Sequence, residues 1–206
     1  MKKAFDTKKI KITGVPRYFD ERVSVRREAL EHLKDPKVCV EVYAGMGSMR
    51  SEVYGDTFSM YYNNDLDKVC PTLFHLPAMD FIKEQLSGFP YKIDLIDFDA
   101  YGGPHFEIQK FFELRKNKDC PIIVVVTDGI GITLKRSQKM SRPVERFMLG
   151  DNTSVDLKHC WRNMKEMTFI LMTEIAKKYD MKLTPIAAIP GKGRNFLFSA
   201  WLFENK

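Results

Sequence analysis

Residues 120 to 128 read "CPIIVVVTD", with five β-branched residues in a row from Ile122 to Val126. Such a run has no polar face, so a strand built from it has to be covered on both sides. That is the position of a central strand in a sheet with helices on both faces. The rest of the chain supplies the covers and the neighbouring strands. Residues 21 to 34 read as a helix ending before Asp35-Pro36, and residues 38 to 43 as a strand. "SMRSEVYG" makes a short helix ending near Gly55, and "TFSMYYNN" a second strand. "LPAMDFIKEQLSG" is a helix with Pro77 near its start and Gly88 after its end. "YKIDLIDFD" alternates apolar and polar residues as a strand does, and "HFEIQKFFELRKNK" follows as a helix. The longest helix spans about 153 to 179, where Val155, Leu157, Cys160, Trp161, Met164, Met167, Leu171 and Ile175 return to one face. "LTPIAAIPGKGRNFLFSAWLFE" gives two strands joined by a Gly/Pro-rich turn, hence an antiparallel pair. Strands alternating with helices predict an α/β fold with a mostly parallel sheet and right-handed crossovers.

At 206 residues, 44% of them hydrophobic, the chain suits one domain with a core of its own. We divide it into a basic arm and lead-in helix, 1–34, and a main domain, 35–206. No apolar run approaches the roughly 20 residues of a membrane span, and the N-terminus lacks the apolar stretch of a secretory signal. A cytoplasmic protein is expected. Cys39, Cys70, Cys120 and Cys160 form no Cys-x-x-Cys pair, so no zinc site is expected. His75, His105 and His159 are scattered and read as structural or surface residues.

Charge is unevenly placed. Residues 1 to 27 hold nine Lys and Arg against three Asp and Glu, which accounts for the whole net charge of +6. A basic arm on a neutral body suits a polyanionic partner, and equally describes a solvated tail. Residues 129 to 152 show no period, and their Lys135, Arg136, Lys139, Arg142 and Arg146 outnumber the acids Glu145 and Asp151.

In an open α/β sheet ligands bind beyond the carboxyl ends of the strands. The first strand ends in Glu41-x-x-x-Gly45-x-Gly47, where glycine permits a sharp turn and a close backbone approach. This is neither Gly-x-Gly-x-x-Gly nor a P-loop, and an ordinary turn explains it as well as a ligand does. Asp65 ends the second strand, 18 residues after Gly47. A carboxylate there can accept both hydroxyls of a ribose, or cap a helix beginning at Leu66. "DLIDFDAYGGP" places Asp97 and Asp99 on one face of a strand, followed by Tyr101 and a forced turn. A carboxylate and an aromatic ring at a strand tip can hold a flat, amine-bearing base; a turn with a capping Asp is the plainer alternative.

The ordered set "VEVYAGMGS", "YYNND", "DLIDFDAYGGP" and "IIVVVTD" resembles the class I S-adenosylmethionine-dependent methyltransferases over roughly residues 38 to 203. More narrowly it is similar to the tRNA guanine-N2-methyltransferases, with their "aNDi" turn, "DxDPfGsP" loop and "TaTD" strand end. The matching residues are Asn64-Asp65-Leu66, Asp97 through Pro104, and Val126-Thr127-Asp128. In "YFDERVSVRREAL", Arg27 and Leu30 match that family's Asn-Arg-Asp-Leu lead-in. Ala100 stands where the family has proline, Pro77 where many relatives carry an acid, and the match includes no C-terminal RNA-binding domain.

The resemblance implies a Rossmann-like sheet of seven strands, mostly parallel, with a C-terminal antiparallel hairpin and helices on both faces. It implies S-adenosylmethionine as cofactor, held by Glu41, Tyr43, Ala44, Gly45, Gly47, Asn64, Asp65, Leu66 and Asp97. Gly45-Met46-Gly47 would bend beneath the methionine and ribose, with Glu41 supporting the turn. Asp99, the Ala100 carbonyl and Tyr101 would position an exocyclic amine of a nucleic-acid base, RNA above all. Lys135, Arg136, Lys139 and Arg142 follow the strand that ends at Asp128, which in a parallel sheet puts them on the same edge as Gly45, Asp65 and Asp99, so they are expected to contact the nucleic acid's backbone; no metal and no membrane are expected. The alternatives are a protein or small-molecule methyltransferase, or a cofactor- or RNA-binding subunit that needs a partner.

Overall fold

The structure is a computed structural model and describes residues 18–100, 102–129, 164–191 and 195–206. The arm before residue 18, Tyr101, the start of the long helix and the stretch holding Lys135, Arg136, Lys139 and Arg142 lie outside the described residues. Within them the elements run α1 (Phe19–Glu31), β1 (Val38–Glu41), β2 (Met60–Asn63), α2 (Ala78–Phe81), β3 (Leu95–Phe98), α3 (His105–Leu114), β4 (Ile122–Asp128), α4 (Met164–Lys178), β5 (Met181–Pro190) and β6 (Leu197–Asn205). They form one sheet of six strands in the order β2-β1-β3-β4-β6-β5. The pairs β1–β2, β1–β3 and β3–β4 are parallel; β4–β6 and β5–β6 are antiparallel. Among the described residues no helix is long and apolar enough to cross a membrane.

The β-branched run behaves as its composition requires: all seven residues of β4 are buried. Side-chain alternation divides the interior in two. Val40, Ile96, Val124 and Trp201 face α2, α3 and α4, whereas Cys39, Leu95, Val125 and Phe198 face α1 and its neighbours.

Three sequence expectations change. The short helix after Gly47 is one wide turn of π type, Arg50–Tyr54, closed by Gly55 N donating to Arg50 O at 2.7 Å. The same wide geometry, Ile82–Leu86, finishes the helix begun by α2. The seventh strand is reduced to a single parallel bridge, Asn64 to Phe74. Side chains take the place of its ladder: Asn63 Oδ1 accepts from Leu73 N at 2.9 Å, and Asn64 Oδ1 from Leu76 N at 3.0 Å. Pro71 and Pro77, which lack an N–H, bracket the segment and limit further pairing.

A polar cluster sits inside the α1 side of this apolar frame. Arg26 and Asp97 are both fully buried. Arg26 Nε and Nη2 donate to the two Asp97 oxygens at 2.6 and 2.8 Å, and Tyr54 Oη donates to Asp97 at 2.6 Å. Burial opposes the Arg26 charge, but the Asp97 carboxylate more than restores it, and its pKa lies above the ordinary value. Glu41 is level with Asp97 on the adjacent strand and also fully buried. Burial first, and the Asp97 charge second, push its carboxyl from 4.5 up to about 8, while the Tyr61 hydroxyl donates to one of its oxygens.

Two stability measurements test this cluster. Arg26→Ala strands a buried carboxylate and should cost about 3–5 kcal/mol in denaturant unfolding. Arg27→Ala, one residue on but exposed, should stay within about 0.5 kcal/mol. Glu41 has a raised folded pKa, so the folded state keeps a proton that the unfolded chain releases above its ordinary range. Its contribution is full at low pH and is lost as pH rises toward about 8. The slope approaches about 1.4 kcal/mol per pH unit. Glu41→Gln should flatten that part of the stability–pH curve, and an unchanged slope would show that Glu41 is ionised in the fold.

Candidate active site at the strand ends

The carboxyl ends of β1, β2, β3 and β4 bring the candidate residues to one edge of the sheet. Beyond β1 the chain turns through Gly45 (φ 52°) and Gly47 (φ 76°), a left-handed conformation that side chains other than glycine's resist. Gly47 N donates to Ala44 O at 3.0 Å, and Ser51 N to Gly47 O at 3.1 Å. A Cβ built on either glycine meets no atom within 4 Å, so the turn borders open space. Met46 between them is 54% exposed.

Asp65 crosses to this turn. Its Oδ2 accepts from Gly45 N at 2.9 Å and its Oδ1 from Asp67 N at 2.9 Å. No helix starts at Leu66, so the helix-cap alternative falls away; Asp65 is a half-buried tie between the ends of β1 and β2. Leu66 beside it is 66% exposed. Ala44 is buried, and Tyr43 is half-buried with its hydroxyl bonded to Glu107 of α3. Burial, then the Glu107 charge, raise the pKa of that hydroxyl.

Two residues expected at the cofactor are enclosed by protein instead. Asn64 braces the 72–76 segment and also donates to Val42 O at 3.2 Å. Asp97 faces Arg26 and Tyr54 in the interior. Both reach a ligand only through the residues they hold in place. Glu41 Oε1, in contrast, is buried and has no hydrogen-bond partner among the described residues; Glu41 precedes the glycine turn in sequence.

At the tip of β3, Asp99 is drawn into a set of donors that sequence reading missed. Thr127 Oγ1 donates to its Oδ1 at 2.6 Å, Arg26 Nη2 lies 3.4 Å away, and Arg22 forms an ion pair with its Oδ2. Ala100 is buried behind it. The lead-in arginine matched in sequence was Arg27, yet Arg27 is exposed, and its Nη2 reaches Glu52 O at 3.4 Å. The arginines that face the site are Arg22 and Arg26, one helical turn apart. The signal was available: Arg26 sits within the stripe of α1 that also buries Val23, Val25 and Ala29. On the other face of the sheet His105 Nε2 and Asp128 Oδ2 are 2.7 Å apart, both side chains 2% exposed.

Open space over a glycine turn and a half-exposed carboxylate beside it fit a ligand with hydroxyl donors. Among the described residues no group of three His, Cys, Asp or Glu side chains could hold a metal ion.

No protein-family model matches the chain, and no curated protein matches it in sequence. Solved structures match in shape. The plantazolicin methyltransferase BamL, in complex with a triazolic desmethylPZN analog and SAH, superposes with a TM-score of 0.52 at 12% identity, over 91% of this chain and 84% of that one. The plantazolicin methyltransferase BpumL gives 0.50 at 15%, over 92% and 85%. A Streptococcus mutans protein assigned to the SAM-dependent methyltransferases gives 0.54 at 11%, over 87% of this chain and 48% of its own length. The strand order, the glycine turn after β1 and these superpositions agree: the chain has the Rossmann-like fold of the S-adenosylmethionine-dependent methyltransferases.

Proposed function

We propose that this protein transfers a methyl group from S-adenosylmethionine to an exocyclic amine of a nucleic-acid base, in RNA. The observation that carries the reading is the left-handed Gly45-Met46-Gly47 turn, tied to Asp65 and open to solvent, one strand away from the Asp99 tip. The cofactor supplies an electrophilic methyl group on a positively charged sulfur.

The chain's residues do the positioning. Gly45, Gly47 and Ala44 present backbone at the turn. Asp65 keeps lone pairs free to accept ribose hydroxyls while it holds Gly45. Tyr43 and the exposed Leu66 flank the same space. Glu41 Oε1 lies beneath the turn, within reach of an amine through a water molecule. Asp97 and Asn64 support this frame from inside. Asp99 accepts an N–H of the incoming amine, the Ala100 carbonyl accepts the other, and Tyr101 stacks on the base. Holding the nitrogen lone pair in line with the methyl carbon supplies most of the rate. Lys135, Arg136, Lys139 and Arg142, together with the arm before residue 18, neutralise phosphates around the acceptor. The amine has to share Asp99 with Arg22, the more exposed of its two arginines at 16% against 0% for Arg26.

A second reading keeps the cofactor and changes the acceptor. The shape matches include methyltransferases crystallised with a desmethylPZN analog, which supports a protein or small-molecule acceptor.

Incubation with labelled S-adenosylmethionine and separate pools of tRNA, rRNA, DNA and protein decides between them. Label in RNA is expected; label in protein alone would promote the second reading. Asp65→Ala should weaken cofactor binding in calorimetry, since two charge-assisted hydrogen bonds of roughly 1.5–3 kcal/mol each are lost. Equal affinity would remove Asp65 from the ribose site. Asp99→Ala should leave that affinity nearly intact while single-turnover methylation collapses. RNA affinity should fall with salt, with a slope of roughly 0.7 per neutralised phosphate of a single strand. Replacing Lys135, Arg136 and Lys139 by Ala should flatten the slope at constant cofactor affinity, and a slope near zero in the wild type would count against a nucleic-acid acceptor.

A further inference from the structure

We propose that His105 is the proton acceptor of this site, with Asp128 and Thr168 as its positioning residues; the inference rests on the methyl-transfer reading above. His105 opens α3 directly after the turn that follows Asp99, and its side chain is 2% exposed. Its Nε2 is 2.7 Å from Asp128 Oδ2, which also accepts from Thr168 Oγ1 of α4 at 3.1 Å. A carboxylate accepts and does not donate, so the Asp128 contact places the ring proton on Nε2. That leaves Nδ1 with a bare lone pair, and among the described residues the buried Nδ1 has no hydrogen-bond partner. Most buried side-chain polar atoms have a hydrogen-bond partner, so an open nitrogen on a buried ring calls for a role.

The ring lies beneath the Gly102-Gly103 turn. A Cβ on Gly103 would stand 2.7 Å from His105 Cε1 and 3.0 Å from Nδ1, so only glycine leaves the ring in place. Gly129 N donates to Gly102 O at 3.1 Å and ties this turn to the end of β4. Thr127 holds Asp99 and Asp128 holds His105, and these are consecutive residues of β4 whose side chains leave opposite faces of the sheet. The turn that would present the acceptor is therefore bracketed by an anion on one side and a base on the other. Among the described residues the charged and titratable groups around His105 are Asp128 from β4 and, two residues along α3, Glu107, which turns to Tyr43; α4 contributes the Thr168 hydroxyl.

The step balances as follows. The acceptor nitrogen gives its lone pair to the methyl carbon of a sulfonium donor, and the carbon–sulfur bonding pair stays with sulfur as a neutral thioether. The nitrogen, now carrying the positive charge, turns the N–H that the Ala100 carbonyl had held toward Nδ1 and releases that proton there, while Asp99 keeps the other. The resulting imidazolium keeps its Nε2–H on Asp128, whose negative charge offsets it.

Three measurements on the full chain test this. Nitrogen NMR of the histidine-labelled protein with S-adenosylhomocysteine should show His105 as the Nε2–H tautomer at neutral pH, with Nδ1 taking a proton as pH falls. An Nδ1–H tautomer would overturn the proposal. Single-turnover methylation of total tRNA should slow at low pH as Nδ1 is protonated. His105→Asn, whose amide can still donate to Asp128, should lose on the order of 100-fold and the acid limb of the profile together. A variant that keeps the wild-type limb would assign His105 to packing. Calorimetry with S-adenosylhomocysteine should give the same affinity for both proteins. Absence of binding to the wild type would sink the cofactor reading, and with it this step. Binding without methylation of tRNA would sink only the RNA acceptor, and the tautomer alone would then decide for or against His105.

Discussion

The guanidinium of Arg26 ties α1 to the two carboxylates of the β3 tip, Asp97 and Asp99. It grips Asp97 with two hydrogen bonds, and Tyr54 completes the same carboxylate. Through Asp97 it faces Glu41 on β1, and through Asp99 it meets Thr127 on β4. Removing such charges from water is expensive, and an apolar cluster of equal volume would often be as stable. The difference lies in geometry. Apolar side chains tolerate sliding of a helix over a sheet, whereas a planar fork on a carboxylate admits one placement. The pair thus fixes α1 against β3, and with α1 the rim arginine Arg22 beside Asp99.

The tips of β3 and β4 show how one sheet edge separates two kinds of chemistry. Asp99 lies on the face covered by α1, among cations; His105 and Asp128 lie on the face covered by α3 and α4, where an imidazole and a carboxyl group form a hydrogen bond. Strand alternation alone produces this separation, since neighbouring residues of β4 cannot point the same way. Groups that would neutralise each other in contact are held apart by the thickness of the sheet.

Much of this was legible from the sequence. The β-branched run of β4, the alternation of strands and helices and the antiparallel close all follow from side-chain period and turn residues, which are local properties. The glycine turn and the carboxylates at the strand ends were legible too, because sequence order fixes which end of a parallel strand they occupy. The misses share a cause. Choosing Arg26 over Arg27 depends on the rotation of α1 about its axis, set by contacts with residues some seventy positions away. The wide turns at Arg50–Tyr54 and Ile82–Leu86 differ from ordinary helix by one residue of hydrogen-bond register, which composition does not encode. His105 looked scattered because its partner lies 23 residues on, and its meaning came from one unpaired nitrogen.

The reduced seventh strand has a consequence for the behaviour of the molecule in a crowded solution. An open sheet exposes unpaired backbone along its outer strands, and such edges recruit other chains. Here β2 is followed by a proline-bracketed segment that makes one bridge and spends its amides on Asn63 and Asn64. At the opposite edge β5 carries Pro185 and Pro190 and a break in register between Pro185 and Ala187. Both margins of the sheet are thus poor templates for another strand. What the segment beyond β2 gives up in pairing, it returns as protection against aggregation.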